Sequence, residues 1–139
     1  MATNIHASCV SLNNKGVLII GASGLGKSDL CLRLIMDKGA RLVADDRVDL
    51  QNIDGNIIAS SPKVLEGLLE VRGLGIIKQP FIKETPVHLI VRLVNNYNDV
   101  ERLPDPVFYE LEGARINQIS LWSFESSAVL KVVAALTLL

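Results

Sequence analysis

The stretch Gly21-Ala22-Ser23-Gly24-Leu25-Gly26-Lys27-Ser28 decides the fold of this chain, because it has the Gly-x-x-x-x-Gly-Lys-Ser spacing of a phosphate-binding P-loop. An apolar run at residues 17–20 precedes it and a helix-forming segment at residues 29–36 follows it, as the motif requires. Glycines permit positive φ, so backbone N–H groups can surround phosphate oxygens at the positive end of a helix. Lys27 would reach the β- and γ-phosphates and the Ser28 hydroxyl would bind Mg²⁺. The alternative is a tight glycine turn followed by a surface lysine.

Length and composition predict one cytoplasmic domain, residues 1–139. The chain has 139 residues, of which 49% are hydrophobic, enough to build a core without disulfides or metals. The formal net charge is −1 and the basic residues are dispersed, which argues against nucleic acid as a partner. We expect no membrane span and no signal peptide, because the apolar runs are too short and too broken. Cys9 and Cys31 fit no metal or redox motif, so we expect reduced, packed thiols.

The rest of the pattern predicts an α/β fold with a mixed sheet and flanking helices. One helix should span residues 27–38 and end at Gly39, and an apolar helix should cover residues 126–139. Ser61 should cap a short helical turn that begins at Pro62. Apolar runs bounded by turn residues predict strands at 5–12, 17–20, 41–44 and 87–94, with hairpins over 48–60 (turning at Asp54-Gly55) and 107–119 (turning at Glu112-Gly113).

Two polar stretches are candidates for chemistry beside the phosphates. Asp45 and Asp46 follow the predicted strand 41–44, and the carboxyl ends of strands are where α/β sheets place their ligands. Neighbouring strand residues point to opposite faces, so we expect only one aspartate to face the γ-phosphate as a proton acceptor. Residues 70–77 (Glu-Val-Arg-Gly-Leu-Gly-Ile-Ile) predict a loop beside a phosphate rather than a strand interior. From the residues alone, the aspartates could also belong to a solvated turn, and Glu70 and Arg72 could form a surface salt bridge.

Taken together in this order and spacing, His6, the P-loop, Asp45-Asp46-Arg47 and residues 70–77 resemble the catalytic domain of HPr kinase/phosphorylase. The resemblance is clear over residues 6–77 and weaker beyond. It implies a P-loop fold similar to the phosphoenolpyruvate carboxykinase catalytic domain, and a homohexamer. It also implies an enzyme that uses ATP and Mg²⁺ to phosphorylate a serine of the phosphocarrier HPr and removes the phosphate by phosphorolysis. The family's N-terminal domain and C-terminal helical tail are not in this sequence, so we expect a truncated form.

The resemblance also assigns roles to individual residues. It places residues 21–28 on the nucleotide phosphates, one aspartate of the pair as the catalytic carboxylate, and Glu70 near the metal with Ser28. Further active-site positions of the family are matched by His6, Arg72 and, in a looser alignment, Arg115. Without the resemblance, His6 would be interpreted as a packed or surface histidine. The chain departs from the family at Asp29, where a glutamate is usual.

Three functions therefore remain open: a kinase/phosphorylase of an HPr-like protein, a small-molecule kinase or NTPase, and a nucleotide-sensing module without turnover. The aspartate pair disfavours the sensor, because a sensor needs no base. The missing flanking segments keep the second function open. The apolar face expected for helix 126–139 suggests a homo-oligomer, which the resemblance extends to a ring of six.

Overall fold

The strand that enters the P-loop lies inside a mixed β-sheet. The computed structural model describes residues 2–139, and within them nine strands form one sheet while two more form a separate hairpin. The strands are β1 (Ala2–His6), β2 (Ser8–Leu12), β3 (Lys15–Ile20), β4 (Arg41–Ala44), β5 (Arg47–Ile53), β6 (Asn56–Ser60), β7 (Leu68–Val71), β8 (Gly75–Lys78), β9 (Glu84–Leu93), β10 (Val107–Leu111) and β11 (Ala114–Leu121). The helices are α1 (Lys27–Lys38) and α2 (Ala128–Thr137), with short 3-10 turns at Lys63–Leu65 and Tyr97–Asp99.

The order of the strands brings distant loops to one edge of the sheet. The main path is β1-β5-β6-β9-β3-β2-β4, and the β10–β11 hairpin joins through β11, which pairs with β9. β3, β9 and β11 are parallel neighbours, so their carboxyl ends lie at the same edge. β4 is antiparallel to β2, which is antiparallel to β3, so β4 also ends at that edge. The loops that follow these four strands therefore surround one region.

Two apolar layers cover the faces of β3, and both follow from its unbroken apolar sequence. Val17 and Ile19 pack on one face with Leu30 of α1 and Val132 of α2. Leu18 packs on the opposite face, in a second core to which β4, β5, β6 and β9 each contribute two buried residues. A strand that is buried on both faces is typical of the centre of an α/β sheet. The layers hold β3 in place, and the P-loop that follows it.

The helix α1 begins and ends where the glycines predict. It starts directly after Gly26 and ends at Gly39, whose φ of 71° is left-handed. The amides of Gly39 and Ala40 donate to Ile35 and Leu34, which satisfies the last carbonyls of the helix. The predicted bounds 27–38 are confirmed. In the described part of the chain, neither helix is long and apolar enough to cross a membrane.

Several other predictions from the sequence are confirmed. Both predicted hairpin turns form, with positive φ at Asp54 and Glu112 and at the glycine after each. The strands 41–44 and 87–94 exist, the latter lengthened at its start to Glu84. Cys9 and Cys31 are buried free thiols, and burial raises the pKa of each.

Four local predictions were wrong in detail. The segment 5–12 is two strands, because β1 leaves β2 and pairs with β5 instead. Ser61 does not cap the following turn, since its hydroxyl donates to the carbonyl of Pro62. Residues 70–77 are mostly strand: β7 and β8 pair from Leu68↔Lys78 to Val71↔Gly75, and only residues 72–74 form the turn. The last helix is also shorter than predicted, spanning Ala128–Thr137.

Candidate active site

The P-loop has the backbone geometry that phosphate binding requires. Gly24 and Gly26 adopt left-handed φ values of 85° and 92°, and Gly26 stands at the open N-terminus of α1 without a side-chain cap. Lys27 is 7% exposed, and its Nζ donates to the carbonyl of Gly21 at 2.7 Å and to that of Ala22 at 3.1 Å. Burial lowers the pKa of Lys27, and the negative charges of Asp45 and Asp46 oppose that effect. Lys27 is therefore folded back over the loop and is not the surface lysine of the alternative interpretation.

A cavity of about 630 Å³ opens above this loop. Its wall joins the N-terminal half of α1 to the ends of β1, β4 and β7 and to the loop after β11. The lining residues are His6, Ser8, Ser23, Gly24, Gly26, Lys27, Ser28, Asp29, Leu32, Asp46, Glu70, Val71, Arg72 and Phe124. Most residues that the sequence selected from separate parts of the chain thus lie around one space.

Asp45 lies beneath the cavity, where its buried carboxylate connects several elements of the fold. It is 4% exposed and accepts hydrogen bonds from the hydroxyls of Ser8, at 2.7 Å, and Ser28, at 2.8 and 3.0 Å. The backbone N–H of Glu70 donates to its second oxygen at 3.1 Å. These contacts join β2, β4, β7 and the start of α1. Asp45 is therefore occupied in fixing the Ser28 hydroxyl, and it does not belong to a solvated turn.

Asp46 points away from Asp45, as predicted, but both residues lie in the bend after β4 rather than in a strand, so alternation along a strand is not the cause. Its side chain is 65% exposed and lines the cavity, and its Oδ1 lies 3.4 Å from Nε2 of His6. Its backbone has a φ of 72°, a conformation that Asp and Asn adopt more readily than most residues. A non-glycine residue in this conformation is uncommon and often marks a functional site. Asp46 and His6 are therefore neighbouring, accessible side chains beside the P-loop.

The β7–β8 hairpin supplies the acidic and basic side chains of the opposite wall. Glu70 and Arg72 are exposed and line the cavity, and Arg72 begins the turn that connects the two strands. No ion pair joins Glu70 to Arg72 among the described residues. Each side chain is therefore available to a ligand, although the segment is a strand hairpin and not the predicted loop.

Arg115 is a predicted site residue that the structure does not bring to the cavity; Gly21, Ala22, Leu25 and the buried Asp45 do not line it either. Arg115 lies near the start of β11, opposite Glu110 of β10. Its guanidinium stacks over the ring of Phe108, 4.2 Å from the ring centroid. The carboxyl end of β11 reaches the site, but the start of β11 does not.

The loop after β11 completes the cavity and was not selected from the sequence. Arg33 of α1 donates to the carbonyl and hydroxyl oxygens of Ser123, at 2.6 and 2.9 Å, and to Asp29 at 3.0 Å. These bonds tie the loop to the helix that follows the P-loop and place Phe124 on the cavity wall. Arg33 and Ser123 are 90 residues apart in the sequence, so no local sequence pattern predicts their contact. Ser8 and Leu32 also line the cavity and were missed, because each belongs to an ordinary apolar or alternating run.

The oxygen ligands beside the P-loop fit Mg²⁺ bound to a nucleotide. The Ser28 hydroxyl and the Asp45 carboxylate are in contact, and Glu70 is held close by its backbone bond to Asp45. Within residues 2–139 no group of three or more His, Cys, Asp or Glu side chains forms a metal cage. Mg²⁺ in nucleotide sites is held by one or two protein oxygens, waters and the phosphates, so this small set suffices.

Comparison with known proteins adds a family to this geometry. Residues 1–136 match the family described as HPr Serine kinase C-terminal domain. The HPr kinase/phosphorylase of Clostridium beijerinckii is 37% identical over 129 residues, which cover 86% of this chain and 42% of that protein. The HPr kinase/phosphorylase of Clostridium tetani is 54% identical over 78 residues, 56% of this chain and 25% of that protein.

A solved structure agrees with the computed one along almost the whole chain. The Hpr(Ser) kinase/phosphatase from Coxiella burnetii matches with a TM-score of 0.83 and 30% identity, covering 97% of this chain and 94% of that one. The chain spans less than half the length of these two curated relatives. The matched family and the matched structure are therefore both consistent with the geometry of the site.

Proposed function

Because this chain belongs to the family of HPr serine kinase C-terminal domains, we propose that it transfers the γ-phosphoryl group of ATP to a serine of an HPr-like phosphocarrier protein, and removes it again by phosphorolysis. The two clostridial relatives, both named HPr kinase/phosphorylase, support this proposal. The observation that carries it is the cavity in which Lys27 and Ser28 of the P-loop face Asp46. A phosphate-binding loop and an accessible carboxylate in one space are what transfer to a hydroxyl requires.

The P-loop would bind the triphosphate. The amides of the glycine loop and the N-terminus of α1 provide donors and a positive dipole for the phosphate oxygens. Lys27 would leave its two carbonyl partners and extend toward the β- and γ-phosphates, whose negative charge favours its protonated form. Ser28, oriented by Asp45, and Glu70 would hold Mg²⁺. When bound, Mg²⁺ neutralises charge on the β- and γ-phosphates.

Asp46 is the residue we propose as the general base. Phosphoryl transfer to a serine needs a group that accepts the hydroxyl proton as the serine oxygen attacks the γ-phosphorus. Asp46 faces the cavity, and among the described residues no backbone N–H donates to its carboxylate, whereas the Asp45 carboxylate is buried under four contacts from three groups. His6 lies next to Asp46 and would position its carboxylate. Arg72 would stabilise the charge that develops on the transferred group.

The same carboxyl serves the reverse reaction. Inorganic phosphate attacks the phosphorus of phosphoserine, the P–O bond to the serine breaks, and protonated Asp46 returns its proton to the serine oxygen. The products are pyrophosphate and the unmodified serine, so no water enters the balance. Proton transfer at one atom therefore links both directions, and a defect in Asp46 should impair both.

Three further statements belong to this proposal. Residues 1–139 act as one catalytic domain, which the two shared apolar layers support. The protein works in the cytoplasm, which its two reduced cysteines support. It forms a homo-oligomer, with six subunits by resemblance to the family, and the exposed Leu130, Leu138 and Leu139 near the end of the chain offer apolar surface for contacts between subunits.

The proposal is tested by phosphoryl transfer from γ-labelled ATP. The protein is incubated with Mg²⁺, labelled ATP and the purified HPr-like phosphocarrier of the same cell, beside Lys27→Ala and Lys38→Ala. Lys38 is an exposed lysine at the far end of the same helix and serves as the matched control. We expect Lys27→Ala to lose about 10²–10³-fold in rate, the scale for one donor to developing charge, while Lys38→Ala keeps the wild-type rate. Equal labelling by folded Lys27→Ala and wild type would contradict the proposal.

A further inference from the structure

We propose that Phe124 is the platform on which the base of the nucleotide stacks, so that the loop after β11 binds the base while the P-loop binds the phosphates. This inference rests on the proposed function, because it concerns the same cavity. It assigns a role to a residue that neither the motifs nor the resemblance singled out. Its support comes from the exposure of the ring, the fixing of its neighbours, and its distance from the P-loop.

The neighbours of Phe124 are held by the fold while its own ring is left open. Ser123 is fully buried and accepts two hydrogen bonds from Arg33. Glu125 forms an ion pair with Lys131 and accepts a hydrogen bond from Ser127 at 2.9 Å. Phe124 lies between these two anchors, is 54% exposed and lines the cavity. A large apolar ring held at the mouth of a polar cavity is suited to an aromatic ligand.

The ring lies directly beside the phosphate loop. A Cβ atom added to Gly26 would stand 3.1 Å from Cε1 of Phe124, so the aromatic ring touches the loop at the start of α1. Leu32, one turn further along α1 than Ser28, is another apolar residue of the same cavity wall. A nucleotide that places its phosphates on the P-loop would extend its ribose and base along this part of the wall. Asp29 lies between the two positions and is held by Arg33.

Two more aromatic rings form a chain of contacts that ends at Phe124. Trp122 packs edge-to-face against it, with ring centroids 6.2 Å apart and planes at 79°. Tyr97, in the loop after β9, packs edge-to-face on Trp122 at 6.4 Å and 69°. The loops after two parallel strands thus meet beside the P-loop and fix the orientation of Phe124. A ring that is already ordered loses little conformational entropy when a base stacks on it.

Stacking on an aromatic ring selects for a base but not for one particular base, because every base presents a π-face. We therefore expect Phe124 to contribute similarly to binding of ATP and GTP, and not to binding of tripolyphosphate, which has phosphates and no base. This difference separates the platform from the P-loop. It also separates a failure of this inference from a failure of the proposed function.

Calorimetric titration with ATP, GTP and tripolyphosphate, each with Mg²⁺, tests the inference. We expect Phe124→Ala to weaken ATP and GTP about 5- to 150-fold, the range for loss of one stacked base, while tripolyphosphate affinity is unchanged. Phe124→Trp should keep wild-type affinity for all three. Phe124→Leu, which retains an apolar side chain over Gly26, should show the same loss as Phe124→Ala and guards against a folding defect. Phe108→Ala, an exposed aromatic outside the cavity, is the matched control and should change nothing.

Three results would overturn the inference. ATP affinity that stays at the wild-type value in Phe124→Ala and Phe124→Leu would show that the base does not stack there, and would leave the phosphate site intact. Equal weakening of ATP and tripolyphosphate would show that Phe124 only supports the P-loop. A wild-type protein that binds neither nucleotides nor tripolyphosphate would refute the proposed nucleotide site itself, and the inference with it.

Discussion

Replacing Asp45 and Asp46 singly by asparagine separates a structural carboxylate from a catalytic one. The two residues are adjacent in sequence, and each substitution keeps the size of the side chain while removing its negative charge. The geometry of their surroundings predicts that Asp45→Asn mainly lowers the free energy of unfolding. It predicts that Asp46→Asn mainly lowers the reaction rates.

The magnitude for Asp45→Asn follows from its hydrogen bonds. One carboxylate oxygen becomes an NH₂ group, which cannot accept from the backbone N–H of Glu70 at 3.1 Å or, in the other orientation, from the hydroxyl of Ser8 at 2.7 Å. A buried donor left without its acceptor costs about 1–3 kcal/mol, and the remaining bonds lose their charge assistance. We expect Asp45→Asn to lower the free energy of unfolding by about 2–4 kcal/mol. Activity should fall as well, because the Ser28 hydroxyl loses its fixed orientation.

For Asp46→Asn we expect a small change in the free energy of unfolding and a large change in the reaction rates. The side chain is 65% exposed and its contact with His6 is long, at 3.4 Å, so the free energy of unfolding should change by no more than about 0.5 kcal/mol. Asparagine also tolerates the φ of 72° at this position. If Asp46 is the base, kinase and phosphorylase rates should both fall by about 10²–10⁴-fold. ATP affinity should remain at the wild-type value.

Three measurements on each variant distinguish the structural role from the catalytic one: denaturant unfolding, ATP titration, and the rates in both directions. The variant with both aspartates replaced should bind ATP only if the protein still folds with the hydrogen bonds of Asp45 weakened. A folded Asp46→Asn protein that keeps wild-type rates in either direction would remove Asp46 from proton transfer. An Asp45→Asn protein as stable as wild type would show that the buried hydrogen bonds of Asp45 do not stabilise the site.

Two further predictions concern the walls of the cavity. Gly26→Ala should lower the free energy of unfolding by about 2–4 kcal/mol, because its Cβ would lie 2.8 Å from the Ser123 hydroxyl in a left-handed backbone. Gly24→Ala, with equally positive φ and nothing within 4 Å, should cost only about 1 kcal/mol of strain, and equal unfolding curves for the two variants would contradict the contact. The hydrogen bond from Lys131 lowers the pKa of Glu125 below its ordinary value of 4.5. The ionised carboxylate therefore stabilises the fold above pH 4.5, and this stabilisation is lost as the pH falls through the folded-state pKa. Glu125→Gln should therefore be about 1 kcal/mol less stable near neutral pH and equal to wild type in strong acid, whereas a difference that is independent of pH would exclude the ion pair as its cause.

The parts of the fold set by local chemistry could be predicted from the sequence. The bounds of α1 depend on Gly26 and Gly39, and the hairpin turn at Asp54-Gly55 depends on positive φ. Such signals need no knowledge of the rest of the chain. The sequence also predicted that Asp45 and Asp46 diverge, but from alternation along a strand, whereas both lie in the bend after β4. It did not say which would be buried, since that depends on Ser8 and on β7.

The parts set by distant pairing could not be predicted. β1 pairs with β5 across more than 40 residues, so the segment 5–12 looked like one strand. Gly75 pairs with Val71 inside a two-stranded ladder, although its composition is typical of a loop. Phe124 reaches the cavity only because β11 lies parallel to β9 and thus ends beside the P-loop. Each of these depends on strand order, which local periodicity does not contain.

Following one labelled phosphoryl group through both directions tests the proposed activity most directly. Wild-type protein is first given γ-labelled ATP, Mg²⁺ and the HPr-like phosphocarrier; the nucleotide is then removed, and unlabelled inorganic phosphate is added. The account predicts that the label moves from ATP to a serine of the carrier and then into pyrophosphate, with the serine restored. Label that never reaches a serine, or that leaves it as free inorganic phosphate rather than pyrophosphate, would contradict the account.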